Sequence, residues 1–339
     1  MSALGPESKL ESNSEAGREG ALTGDSRSLT AGLLRVVGRT LLRAGLLACV
    51  ALALCLALLR QGAPPIEQVI GGRGADAEAR AQIRRVLDAD QPFLSAWLAT
   101  VAAYSKADFG RSWRTGARIG PELRVRLGRS LALVLPGVLL GQIWAWRSAG
   151  ARRLSGFFES ASWFVVAAGL VVFATALQWL LSSPGGLNWL PLHGMPASFG
   201  ADWLWHLLLP TLTLGLFAYA NAYPALRALF EQTAAQSFVL GARARGTPGQ
   251  AKAARARAMR GTAGALLLYR VPLLAFAAMM VLEQIYGVPG FGEWLSRAVL
   301  DGDRPVVLAV TFVLALLFAL LKVAEQVWLQ WADPRALDA

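Results

Sequence analysis

The sequence predicts an all-α polytopic protein that crosses a membrane six times. Hydrophobic residues make up 55% of its 339 positions and charged residues only 16%, whereas soluble domains run at roughly 25% charged. Six apolar runs reach the ~20 residues that a spanning helix needs. Arginine and lysine are also divided unequally between loops on alternate sides, the usual mark of a fixed orientation. The runs are Leu41–Leu59, Leu127–Trp146, Ala161–Leu181, Leu204–Tyr223, Ala265–Ile285 and Val306–Val327.

Residues 1–34 are rich in Gly, Ser and Glu and poor in aromatics, so they bury too little surface to offset ordering entropy and are expected to form a disordered cytoplasmic tail. The first run follows Arg35, Arg39 and Arg43 as in a signal peptide, but "RQGAPP" comes next with no A-x-A-like site. It is read as an uncleaved first span. Cys49 and Cys55 lie within it, project in different directions, and are read as small core or lipid-facing residues, neither a disulfide nor a metal site. The loop 60–126 is arginine-rich, but loops beyond ~60 residues translocate largely regardless of charge. It is expected to be an extracytoplasmic cap, in which Phe93, Trp97, Val101 and Tyr104 recur at helical spacing as a packing stripe.

The shorter loops set the orientation. Segment 147–160 carries Arg147, Arg152 and Arg153, and 224–264 carries Arg227, Arg243, Arg245, Lys252, Arg255, Arg257 and Arg260. On the other side 182–203 has none and 286–305 only Arg297 and Arg304, which places both termini in the cytoplasm. The net charge of +11 is interleaved with apolar spans, so it speaks for topology and anionic headgroups, not for nucleic acid. Pro136, Pro210 and Pro272 interrupt spans as bends or packing kinks. Lys322 and Glu325, at i and i+3, are read as an ion pair near the inner end of the last span.

A catalytic constellation is not visible. The sequence has no Walker A pattern, no nucleophile elbow and no H-E-x-x-H, and its two histidines, His193 and His206, lack partners at ligand spacing. The reading is a protein that is not an enzyme and holds no cofactor or metal of its own.

One polar segment stands out, "SFVLGARARG" at Ser237–Gly246. Ser237 is placed as N-cap, Phe238–Arg245 as helix, Gly246 as the C′ residue and Pro248 as a stop. A helix this short is marginal alone, and Gly241 in its middle costs about 1 kcal/mol relative to Ala, so something else must hold it. Phe238 and Ala242 fall together at i and i+4, while Arg243 and Arg245 project elsewhere, giving an apolar plug with a cationic fringe.

With these residues in view, the chain resembles the inner-membrane permease subunits of bacterial ABC importers for peptides, nickel and related solutes. "SFVLGARARG" is similar to that family's cytoplasmic EAA-type loop, with Leu240 and Gly241 departing from its pattern. "DADQPF" at Asp88–Phe93, "ADFGRSW" at Ala107–Trp113, "LNWLPL" at Leu187–Leu192, "HLLLPTLTLG" at His206–Gly215, "VLEQIYGVPGFG" at Val281–Gly292, "DRPVV" at Asp303–Val307 and "DPR" at Asp333–Arg335 follow in the family's order. The resemblance implies a type I permease fold over residues 35–339, with 224–264 as the cytoplasmic coupling loop. It also implies that Ser237, Phe238, Ala242, Arg243, Ala244, Arg245 and Gly246 form a coupling helix seated in an ATPase. The implied partners are a second, similar permease, two cytoplasmic ATPases that bind the ATP, and an extracytoplasmic solute-binding protein, at the bacterial inner membrane. Glu283, Pro289, Gly290 and Gly292 belong to an extracytoplasmic loop. There a capping role for Glu283 is favoured over a substrate contact, although an acid at membrane depth is a functional candidate by default. The rival class is a self-sufficient secondary transporter of small solutes, which calls for inverted repeats and intramembrane acids; no such repeat is visible. Peptide, metal-chelate and glutathione importers share these motifs, so the substrate stays open.

Overall fold

The computed structural model describes residues 35, 37–43, 45–57, 92–151, 155–183, 185–190 and 201–332. The expected tail at 1–34, the part 60–91 of the cap loop, and "DPR" at 333–335 lie outside them. Among the described residues the elements are helices, with one isolated bridge between Arg111 and Arg118. They are α1 (Val37–Ala57), α2 (Phe93–Ser105), α3 (Ile119–Ala149), α4 (Ser155–Ala168), α5 (Leu170–Ser182), α6 (Ala201–Ala234), α7 (Ser237–Ala244), α8 (Pro248–Ala265), α9 (Val271–Tyr286), α10 (Phe291–Leu300) and α11 (Arg304–Ala332). A π turn, Leu266–Arg270, joins α8 to α9.

Among the described residues, five continuous helical stretches are long and apolar enough to cross a membrane: α1, α3, α6, α8 with α9, and α11. The third run differs from expectation. In place of one helix over Ala161–Leu181 the chain forms α4 and α5, bent by 106° at Gly169, whose φ is +71°. Only glycine takes that conformation without a Cβ penalty. With 14 and 13 residues, each half is about 20 Å long, short of the ~30 Å hydrocarbon core, so neither crosses alone, and the bent pair is either one broken span or a re-entrant loop.

The spans pack through small residues and internal hydrogen bonds, the devices available where water offers no hydrophobic drive. Gly137 and Gly141, one turn apart in α3, let α6 approach until a Cβ at Gly137 would lie 3.1 Å from the Thr211 carbonyl, and one at Gly141 would overlap that of Gly215. Tyr286 ties three helices, its hydroxyl 2.7 Å from Thr213 Oγ1 and donating to the Ala174 carbonyl at 3.1 Å. The π turn follows from Pro272. In the i→i+5 pattern, the Val271 amide donates to the Leu266 carbonyl, and the next carbonyl, Leu267, faces a proline with no N–H to give. Gln142 Nε2 supplies the missing donor at 2.8 Å, which is how a broken ladder is tolerated at membrane depth.

At the end that holds the α9–α10 turn, Leu52, Tyr104, Ile119, Phe291, Trp294 and Val306 form one buried cluster. The α2 stripe packs as expected through Trp97, Val101 and Tyr104, and Trp97 donates to the Cys49 carbonyl at 3.2 Å, while Phe93 is exposed. At the opposite end Ala145, Tyr219, Tyr223, Leu226 and Val271 form another, beside α7.

Candidate functional site: a short surface helix and the loop scaffold at the opposite end

The α7 helix covers Ser237–Ala244, flanked by Gln236 in extended conformation with no side-chain cap and by Arg245 at its C-cap. Ser237 is therefore the first helical residue and not the N-cap. Gly246 has φ +69°, and the Gly246 amide bonds to the Arg243 carbonyl at 3.0 Å, a left-handed C-terminal turn of the expected kind. The Ala242 carbonyl is closed by Thr247, whose Oγ1 and amide donate at 2.8 and 3.2 Å. Pro248 opens the next helix at its first turn, where its missing N–H costs nothing. It is a starter of α8 as well as a stop for α7.

The face expected to form the plug, Phe238 with Ala242, is split: Phe238 stays outside, while Ala242 turns inward with Val239. Val239 is 0% and Ala242 4% exposed, both packed on Ala251 of α8, while Phe238 and Leu240 are each 49% exposed. At 100° per residue the boundary between packed and open faces falls between Phe238 and Ala242. Phe238 and Leu240 stand at the two edges of the open arc, with Gly241, Ala244 and Arg245 between them. The support that so short a helix requires comes from α8 of the same chain, and its large apolar side chains are left outside.

The α8 helix is itself anchored. Arg255 donates to the Phe230 carbonyl and lies 4.6 Å from that residue's ring centroid, which fixes α8 to the end of α6. Trp328 of α11 donates to the Arg260 carbonyl at 2.9 Å. Arg227 donates to the Ala149 carbonyl at 3.1 Å, at the C-terminus of α3, where the helix dipole favours a cation. Several basic residues of the 224–264 segment are thus tied inward, while Arg243 and Arg245 are exposed.

The opposite end holds the second group. Glu283 is fully buried, and its Oε2 accepts the Gly292 and Glu293 amides at 2.7 and 3.0 Å. Its Oε1 accepts from Ser130 Oγ, which accepts the Phe291 amide at 2.8 Å. The three amides that open α10 are thereby satisfied, and a negative group sits on its dipole. A Cβ on Gly290 would overlap the Glu283 carboxylate, so glycine there is a packing requirement. Arg129 Nη1 donates to the Pro289 carbonyl at 3.4 Å. Nearby, Asp303 accepts from Ser112 Oγ and, at 3.1 Å, from the Trp113 amide, joining "ADFGRSW" to "DRPVV". Arg126 bridges Glu122 and Glu293 at 2.8 and 2.9 Å. Sequence reading had not singled out Ser130, Arg126 or the Gly137–Gly141 pair; only the last carried a local signal, its G-x-x-x-G spacing.

Residues 137–338 match the family described as the binding-protein-dependent transport system inner membrane component. That segment contains α7, the α9–α10 loop and most of the spans. The chain is 29% identical over 305 residues to the oligopeptide transport system permease protein OppB of Mycobacterium tuberculosis strain H37Rv, covering 82% of this chain and 88% of that one. It is 27% identical over 304 residues to a putative peptide transport system permease protein of Brucella abortus strain 2308, covering 84% and 92%. To a probable peptide ABC transporter permease protein of Sinorhizobium fredii it is 26% identical over 296 residues, covering 82% and 91%.

Proposed function

The chain belongs to the family of binding-protein-dependent transport system inner membrane components, and we propose that within it this protein is the permease subunit of an ATP-driven importer of peptides or a related small solute. It forms half of the translocation pathway, and α7 couples it to cytoplasmic ATPases. Its relatives are named as oligopeptide or peptide transport permeases, which supports the peptide class.

The observation that carries the coupling role is the two-sided build of α7. Its inner face is locked to α8 through Val239, Ala242 and Ala251, and its outer face leaves Phe238 and Leu240 half exposed beside exposed Arg243 and Arg245. Phe238 and Leu240 border the open face of a short helix on a basic loop, apolar surface of a kind that a partner can cover. An aromatic and an aliphatic anchor ringed by cations is the composition of a hot spot that seats in a cleft with acidic edges.

The helix α8 runs through the π turn into α9 as one stretch, Gly249–Tyr286. A push on α7 is thus delivered to a spanning helix, and through Arg255 and Trp328 to α6 and α11 as well. ATP binding and hydrolysis in the partners bias a two-state permease between outward-facing and inward-facing forms. The arginines of 147–160 and 224–264 put α7 and both termini in the cytoplasm and the 60–126 segment outside. A solute-binding protein delivers the cargo from that side, and a second, homologous permease completes the pathway.

Cross-linking tests this. In a chain with Cys49→Ser and Cys55→Ser, Leu240→Cys should give an adduct with the mass of this chain plus one cognate ATPase, and Ser105→Cys should give none. Failure of the Leu240 adduct in an otherwise assembled complex counts against α7 as the coupling element.

A further inference from the structure

Between α1, the π turn and α11 lies a cavity of about 640 Å³ that neither the coupling helix nor the loop scaffold uses. Its lining is graded along the helix axes. Arg39 and Arg43, one turn apart on α1, share one end with Lys322 and Gln326 of α11; the rest includes Leu47, Ala48, Ala51, Ala315, Phe318 and Ala319. Tyr269 stands at the transition, with Lys322 Nζ 4.5 Å from its ring centroid.

Glu325 pairs with Lys322, and the residues that line the cavity include three cations and no acid. The mouth thus keeps an excess of positive charge. Arg39 to Ala51 is twelve residues, about 18 Å along a helix, comparable with one leaflet of a ~30 Å hydrocarbon core. The basic end is also the end at which α11 meets α8, since Trp328 bonds to Arg260.

We propose that this cavity is a site for one anionic phospholipid, its phosphate held by Arg39, Arg43 and Lys322 and one acyl chain lying against Leu47, Ala51, Ala315 and Phe318. A free phosphate would satisfy the cations but would leave the apolar wall uncovered. A zwitterionic lipid would bring its own cation into the basic mouth. The charge excess selects the anionic headgroup, and the graded wall selects a lipid over a soluble anion. The site stands whichever solute is carried.

The test uses the full chain, purified in detergent and exchanged against an equimolar mixture of phosphatidylglycerol and phosphatidylcholine, with retained lipid read by mass spectrometry. The wild type should retain phosphatidylglycerol preferentially. Arg39→Gln with Arg43→Gln should weaken that preference about thirty-fold, the worth of two surface cations, while Arg147→Gln with Arg257→Gln, an equal charge loss elsewhere, should leave it intact. Ala319→Trp, or Ala315→Leu if the first does not fold, should expel the lipid without touching the cations. Inorganic phosphate at millimolar concentration should not displace it. Equal retention in the two arginine pairs would overturn the site. So would displacement by inorganic phosphate together with indifference to both wall variants, which would mark a soluble-anion site.

Discussion

Ser130 and Glu283, 153 positions apart, share the N-terminus of α10: the Ser130 hydroxyl takes the Phe291 amide and donates to Glu283, whose carboxylate takes the amides of Gly292 and Glu293. Two spanning helices, α3 and α9, are joined through the first turn of α10. A buried donor left without an acceptor costs ~1–3 kcal/mol. Glu283→Ala should therefore lower the melting temperature of the assembled permease by several degrees, and Glu283→Gln, which keeps one acceptor oxygen, by less. Differential scanning fluorimetry beside an uptake assay separates the alternatives. An unchanged melting temperature with a raised half-saturation concentration for peptide would make Glu283 a substrate contact instead.

The bond from Ser112 and Trp113 to Asp303 holds the 107–118 segment against the start of α11. Asp303→Ala should release that segment while sparing the spans. Hydrogen exchange at residues 107–118 should accelerate at least tenfold, with exchange in α3 and α6 unchanged; equal protection in the variant would remove Asp303 as the anchor.

At Gly246 a Cβ would meet nothing within 4 Å, so substitution there acts through φ +69° and not through a clash. Asn tolerates this conformation better than Ala, and a β-branched residue tolerates it worst. Coupled peptide uptake should fall in the order Gly246→Asn, Gly246→Ala, Gly246→Val, the last carrying a strain of order 1–3 kcal/mol. An order that follows side-chain volume alone, with Asn worse than Ala, would point to a steric contact instead.

Gly241 is the converse case. It is helical, and a Cβ would meet only Arg245 Nη1, at 3.6 Å. Gly241→Ala should stabilise α7 by about 1 kcal/mol, read as slower amide exchange over 237–244 in the permease without ATPase. Faster exchange would mean that this site needs glycine.

Much of this architecture was legible in the sequence because membrane spans and helix ends have local signals. Apolar runs marked the spans, and glycine followed by proline marked the end of α7. The bend at Gly169 was not legible, since a lone glycine in an apolar run is more often a packing residue than a break. Nor was the division of the Phe238–Ala242 face: Ala242 is buried with Val239 because Ala251, which belongs to another helix, packs against both. Ser237 looked like a cap because capping is a side-chain preference, yet the backbone turns into the helix at Gln236. The links of Ser130 to Glu283 and of Ser112 to Asp303 join positions more than 150 apart and leave no trace in local pattern.

The coupling role of α7 rests on its outer face, and uptake in vesicles reconstituted with this chain, the second permease, both ATPases and the binding protein, supplied with a mixed oligopeptide pool, tests it most directly. Phe238→Asp with Leu240→Asp alters only exposed side chains and should leave insertion and permease pairing intact. Loss of two apolar anchors, each worth at least ~1 kcal/mol, should release the ATPases and cut ATP-driven uptake tenfold or more. Reversal of Arg243 and Arg245 to Glu should do the same more weakly. Wild-type uptake and full ATPase retention in the Phe238 and Leu240 double variant would contradict the coupling role of α7.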